Sequence, residues 1–482
     1  MFSSLFAEPR RNAIMHFLLG FFVCSNTILG GLFKMERFFR LKELGTNVRT
    51  EVMAGLTTFM TMAYILAVNP AILSPTGLDW TAVFLATALA AGIFTIAMGL
   101  FVNFPVALAP GMGLNAYFAS VILASAATDT PISPAMGLTA VFISGIIFII
   151  LTVTQIRQML ITAVPDSLKH AITVGIGLFI AVIGLKNSGL MTIIAFEDGG
   201  TLISLGSFHN ENVVFTVIAI ALIAILMVLR VPGAILFGIL GTTVIALISG
   251  HVNISEALEG KTWIPDFSTM NVWHFDFAGV MEVGLITVIL TFTFVELFDT
   301  FGTLVGTANR AGVMKDPEKG KKVVGKAMMV DAIGVGGGAV LGTSTVTAFV
   351  ESSAGIAQGG RSGLTAVTTG ICFLLAIFLS PLVALVPGTA TAAALIIVGV
   401  LMMQSVKEID FSDMVYAIPA FLTLAMMPFT YSIANGISFG IVSYVLLASV
   451  ANIAGKGKYK VHWLMWILAV LIICRYVFMG GE

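Results

Sequence analysis

Charge is what this chain has least of. Of its 482 residues only 10% are Asp, Glu, Lys or Arg, against 58% hydrophobic, and the mean hydropathy is +1.03. A water-soluble domain carries roughly 25% charged residues, so a soluble fold is excluded and the chain is an integral membrane protein. Its apolar residues run in stretches of about twenty rather than in short alternating strands, which points to helices and away from an outer-membrane barrel. A formal net charge of −1 offers no field for a nucleic acid, and none is expected as a partner. The three cysteines, Cys24, Cys372 and Cys474, are widely spaced and lie in apolar runs, so neither a disulfide nor a metal site is expected. A nucleotide-binding loop, a metal-ligand cluster and a Ser/His/Asp arrangement are all missing, and His170, His209, His251 and His274 fall near span ends or outside them. These absences argue against an enzyme and against a cofactor. They also leave an ion gradient as the energy source of any transport.

Residues 1–34 combine Arg10 and Arg11 with the run HFLLGFFVCSNTILGG, short for a spanning helix and similar to a signal-peptide core. Met35 opens a basic amphipathic stretch, MERFFRLKELGTNVRTEV, and residues 1–34 read as an extension outside the fold. Residues 35–482 form a single membrane domain.

Apolar segments then fall at about 51–70, 80–102, 105–125, 135–153, 167–187, 213–229 and 233–250. The second half gives about 279–306, 324–341, 343–358, 361–380, 384–404, 414–430 and 433–452. With a cytoplasmic N-terminus, inside loops hold Arg157, Lys169, Arg230, the lysine-rich stretch up to Lys326, Arg361, Lys407 and Lys456 to Lys460, while 251–277 outside holds only Lys261. That distribution follows the positive-inside rule. Seven spans per half is odd, so the halves lie in opposite orientations, as in the inverted repeats of secondary transporters. The expected fold is all-α, fourteen spans in a 7+7 inverted repeat over about 51–250 and 279–452. A further apolar stretch at 461–479 either crosses or lies at the interface.

Carboxylates in apolar surroundings mark the candidate site. TFTFVELFDTFG (Thr291–Gly302) carries Glu296 and Asp299 at i, i+3, on one helix face. An ionisable group costs at least ~2.5–3.5 kcal/mol in hydrocarbon on insertion scales, so such groups are functional by default. Glu351 lies in GTSTVTAFVESSAG (Gly342–Gly355), the third segment of the second half. Its counterpart, VALAPGMGLNAYFAS (106–120), carries Asn115. Pro105, Pro110, Gly111 and Gly113 in one, and Gly342 among Ser and Thr in the other, oppose an unbroken helix. If each segment begins extended and turns helical midway, two helix N-termini face the membrane centre. Non-helical backbone at that depth requires a protein-lined cavity. A carboxylate there can accept two ring N–H groups, Asn115 can donate and accept, and phenylalanines such as Phe118 and Phe349 can stack. Each also has a structural reading: Asn115 as a partner for broken backbone, the phenylalanines as core, Asp331 as a helix-end acid beside the basic 315–326 loop or as a proton relay.

AGLTTFMTMAYILAVNP (54–70), ALAPGMGLNAYF (107–118), FDTFGTLVGTANRAG (298–312), GTSTVTAFVESSAG (342–355) and GGRSGLTAVTTG (359–370) together resemble the nucleobase:cation symporter-2 family, in the branch of adenine, guanine and hypoxanthine permeases. The resemblance covers about residues 36–455. It implies a core half and a dimerising half, hence a homodimer, in the plasma membrane, with proton-coupled purine uptake. It further implies a site of Asn115, Glu296, Asp299 and Glu351, which gives substrate contacts at Asn115, Glu296 and Glu351 and proton coupling at Asp299 and Glu296; the residues themselves add Phe118 and Phe349 as substrate contacts. The residues by themselves leave open sodium coupling and other substrates of the same fold, such as uracil, xanthine or an inorganic anion; three acids oppose the anion.

Overall fold

The structure is a computed structural model and describes residues 35–126, 130–154, 163–195, 201–264, 266–283, 285–455 and 459–478. The proposed extension 1–34 lies outside them, as do the side chains of Phe298, Asp299 and Phe301. Among the described residues, nine helical segments are long and apolar enough to cross a bilayer, and five shorter apolar helices accompany them. The chain is a mostly helical, polytopic membrane protein.

Short polar side chains set where the helices start. Asn47 accepts from Thr50 N at 3.0 Å and opens α1 (Val48–Met62), which breaks at Ala63 and Tyr64 before α2 (Ile65–Leu73). Asp79 accepts from Ala82 N at 2.8 Å and opens α3 (Trp80–Ala97). Such caps replace the intrahelical partners that a first turn lacks. Strand β1 (Leu108–Pro110) leads into α4 (Met112–Ser125), then α5 (Pro134–Val153) and α6 (Asp166–Asn187). A hairpin of β2 (Met191–Ala195) and β3 (Thr201–Leu205) precedes α7 (Glu211–Val228) and α8 (Ala234–Ile248).

The second half follows. It runs α9 (Ile286–Arg310), α10 (Pro317–Leu341), β4 (Val346–Ala348), the short α11 (Ser352–Ala357), α12 (Gly363–Ala376), α13 (Gly388–Met402), α14 (Met414–Phe429) and α15 (Ile433–Ile453). A last helix, α16 (Trp463–Phe478), packs on α15, and Tyr476 donates to Asn435 Oδ1 at 2.6 Å. The segment whose placement the residues left open therefore runs beside α15.

Packing partners are reciprocal between the halves. The third elements pair with each other, β1 with β4, antiparallel with Leu108 opposite Ala348 and Pro110 opposite Val346. The second helix of each half packs on the fourth of the other, α3 on α12 and α10 on α5, and the fifth helices, α6 and α13, pack together. Glycine makes these approaches close: a Cβ on Gly145 of α5 would lie 2.6 Å from Gly336 N of α10, and one on Gly363 would strike the Gly99 carbonyl, which follows α3. In a bilayer, where apolar helices gain little by leaving lipid, such small-residue contacts supply the packing.

One buried acid is structural. Glu51 of α1, wholly buried, accepts from Arg361 N at 2.8 Å, Ser362 N at 3.1 Å, Ser362 Oγ at 2.7 Å and Thr365 Oγ1 at 2.6 Å. It thereby clamps the start of α12 to α1, and a buried carboxylate is tolerated because four donors replace water.

Candidate functional site

The expected extended-then-helical form of both third segments is what the chain adopts. Pro110 sits on β1, where its missing N–H costs no helix hydrogen bond, and Gly111 is the N-cap of α4. In the other segment β4 runs to Ala348, and Glu351 is the N-cap residue of α11 without using its side chain as a cap. The strands are sewn together: Gly111 N donates to Thr345 O at 3.0 Å, Phe349 N to Ala107 O at 3.0 Å, and Ala107 N to Ser352 Oγ at 3.0 Å.

An open cavity lies where the two segments turn helical. Tyr64, Met112, Gly113, Thr347, Phe349 and Glu351 line it, and Val398 and Met402 of α13 form the opposite wall. The Tyr64 hydroxyl donates to Glu351 Oε1 at 2.7 Å. Among the described residues no ion pair engages Glu351. The site thus offers an acid, a phenol and first-turn backbone N–H groups of α4 against an apolar wall, a surface suited to a flat polar heterocycle. Among the described residues no cluster of His, Cys, Asp and Glu has the form of a metal site.

The residues singled out in the sequence separate into three places. Glu351 and Phe349 line the cavity, although Phe349 is only 6% exposed. Asn115 is wholly buried away from the lining, where its Nδ2 donates to Asn69 Oδ1 at 2.6 Å and its Oδ1 accepts from Ser344 Oγ. Asn69 passes the network on to Thr87 Oγ1 at 2.7 Å and Thr343 Oγ1 at 2.9 Å. Phe118, 1% exposed, packs its ring where a Cβ on Gly137 of α5 would come within 2.8 Å.

Glu296 occupies the third place, behind β4. The Thr300 hydroxyl lies 2.9 Å from Glu296 Oε1, 2.8 Å from Asp331 Oδ2 and 2.9 Å from Thr347 Oγ1. Asp331 Oδ1 accepts from Ala348 N at 3.0 Å. Since α10 begins at Pro317 rather than near 324, Asp331 is a mid-helix, wholly buried acid and not a helix-end one. Thr347 belongs both to this cluster and to the cavity wall, so the carboxyls reach the cavity through two hydroxyls. The side chain of Asp299 lies outside the described residues.

Sequence reasoning missed Tyr64, Asn69 and Thr300. In MAYILAVNP, Tyr64 looks like one more apolar residue of a span; the signal was the polar Asn69 and Pro70 five and six residues on, which mark a helix that is not lipid-facing throughout.

Comparison with known proteins supports the resemblance. The model of the Permease family, Xan_ur_permease, matches residues 49–439. The chain is 42% identical to the guanine/hypoxanthine permease PbuO of Bacillus subtilis over 91% of this chain and 99% of that one. It is 43% identical to the adenine permease AdeP of Escherichia coli over 93% of this chain and 97% of that one. Among solved structures, the transmembrane domain of a cyanobacterium bicarbonate transporter, BicA, aligns with a TM-score of 0.58 at 16% identity, covering 81% of this chain and 97% of that one. That likeness is one of fold. The chain is a transporter and not an enzyme, and it belongs to the nucleobase:cation symporter-2 permeases, in the branch of adenine, guanine and hypoxanthine permeases.

Proposed function

We propose that the protein imports purine nucleobases, hypoxanthine, guanine or adenine, by proton symport with alternating access. The observation that carries the reading is Glu351: a carboxylate at the cavity, beside the first turn of α4, in a chain over 40% identical to permeases for these bases. A purine lying against Phe349 would give ring or exocyclic N–H groups to Glu351 and turn a carbonyl or ring nitrogen toward the N–H groups of Met112 and Gly113. The reciprocal packing of the halves supports a fourteen-span 7+7 inverted repeat, with the N-terminus in the cytoplasm and the protein in the plasma membrane. In that arrangement α16 is an addition to the repeat.

Proton coupling rests on a count of hydrogens. Thr300 has one hydroxyl hydrogen, yet its oxygen is within hydrogen-bond distance of an oxygen of both Glu296 and Asp331. Both of these contacts are hydrogen bonds when one of the two carboxyls carries a proton and donates it to Thr300. Glu296 and Asp331, with Asp299 on the same helix as Glu296, are therefore assigned to proton coupling. Substrate binding stays with Glu351 and Phe349, while Asn115 and Phe118 hold the cavity's frame.

The test is uptake of radiolabelled hypoxanthine, guanine, adenine, xanthine and uracil by cells producing the full chain, at acidic and neutral pH, with and without a protonophore. Protonophore-sensitive uptake of any of the first three is expected. Uptake of uracil or xanthine alone would move the protein to another substrate of the same fold. Purine uptake that a sodium ionophore collapses and a protonophore spares would replace the proton as coupling ion.

A further inference from the structure

One phenol lies in the wall of the cavity. Tyr64 occupies the break between α1 and α2, is 1% exposed, and lines the cavity together with Glu351. Its single hydroxyl hydrogen is committed to Glu351 Oε1 at 2.7 Å. Glu351 is an N-cap residue whose side chain makes no cap bond, and the Tyr64 hydroxyl is the side-chain donor that holds its carboxylate among the described residues.

We infer that Tyr64 is the positioning and specificity residue of the site: it holds Glu351 by one oxygen, so that the phenol oxygen and the carboxylate together present an edge made only of acceptors. With its hydrogen spent, the phenol oxygen has lone pairs alone to offer, as does an ionised carboxylate. Such an edge fits a heterocycle that presents two neighbouring N–H donors. The N1–H and 2-amino group of a 2-amino-6-oxopurine are that pair. In uracil and xanthine the N–H between two carbonyls would bring at least one oxygen against an acceptor, and an unmatched buried polar pair discriminates strongly. This selectivity rests on the purine reading above. Within it, guanine should bind more tightly than xanthine because of Tyr64 and Glu351 acting as a unit.

The experiment measures KM and Vmax for guanine uptake, with xanthine as competitor, in four full-length chains: the natural one, Tyr64→Phe, Glu351→Asp and the double variant, each normalised to protein in the membrane. Phe keeps the ring that fills the break and loses only the hydroxyl. Removing a hydrogen bond to a charged group should raise the guanine KM about tenfold, with Vmax within about twofold, and narrow the preference over xanthine. Asp is one methylene shorter and withdraws from the phenol, so Tyr64→Phe should add no more than about twofold in that background. A guanine KM within about twofold of the natural value in Tyr64→Phe overturns the inference, as does a full tenfold penalty added to Glu351→Asp. Melting temperatures of the purified variants separate a packing role: a lowered melting temperature with unchanged KM and selectivity also overturns it. Absence of purine uptake in the natural chain would instead fail the purine reading, and this inference with it.

Discussion

At the scale of single residues, the two amide and acid positions of the third segments do different work. Glu351 faces the cavity, whereas Asn115 spends both ends of its amide inside the protein, on Asn69 and on Ser344. Replacing them should therefore fail in different ways. Glu351→Gln puts a donor where the ligand's N–H must find an acceptor, and purine affinity should fall by about a hundredfold with little change in melting temperature. Asn115→Ala leaves Asn69 Oδ1 and the Ser344 hydroxyl short of a buried partner, at a cost of about 1–3 kcal/mol each. It should lower the melting temperature clearly and guanine affinity only secondarily. Thermal melting and ligand binding on the two purified variants decide the matter; an Asn115→Ala protein that melts normally yet binds no purine would return Asn115 to the binding surface.

At the scale of elements, β4 is the piece to which the site and the buried acids are both attached. Asp331 of α10 holds Ala348 N with one oxygen and meets Thr300 of α9 with the other, while Thr347 links that cluster to the cavity. Asp331→Asn keeps both roles without a carboxyl proton, because the amide oxygen accepts from Ala348 N and the amide nitrogen donates to Thr300. It imitates the protonated acid permanently. The variant should fold and exchange labelled purine for unlabelled across the membrane, but lose protonophore-sensitive accumulation; undiminished accumulation would remove Asp331 from coupling. Much at this scale was legible beforehand. Pro105, Pro110, Gly111, Gly113 and Gly342 break the third segments for local reasons, and a break in an apolar span can be read without knowing its partner. The pairing of residues 108–110 with 346–348 could not be read, since strands three residues long carry no periodicity and their partners stand more than two hundred positions apart. For the same reason the Thr300 cluster was invisible: Asp331 and Thr347 come to Glu296 by folding, and only Thr300 shares its helix. Tyr64 was hidden by company, one phenol in an apolar run whose orientation the sequence does not give.

At the scale of the whole molecule, the alternating access proposed above requires the segments that bear the site to move against the paired fifth helices. The cavity is lined by Tyr64, the start of α4, Thr303 of α9 and residues 347–351 of β4 and the turn after it on one side and by α13 on the other, with α6 packed on α13. The two sides come close where α4 meets α6. A Cβ on Gly113 would stand 3.9 Å from the Cβ of Ile176 and 2.5 Å from its Cγ2, so the half-helix passes that side chain with no room to spare. The Cβ separation falls inside the roughly 3.5–4.5 Å that a disulfide spans, and exchanging isoleucine for cysteine removes the methyl that would clash. A chain with Gly113→Cys and Ile176→Cys, and with Cys24, Cys372 and Cys474 replaced by serine, should therefore cross-link under mild oxidation. A bond at this point fixes α4 to α6 in a single arrangement. If transport proceeds by one side rocking past the other, oxidation must bring guanine uptake to background and a reducing agent must restore it. Binding measured on the oxidised protein should persist from whichever face the cavity opens to in this conformation. Complete cross-linking with undiminished uptake would mean that α4 and α6 travel together, and the moving boundary would have to be sought elsewhere, between α6 with α13 and the outer helices α7, α8, α14 and α15.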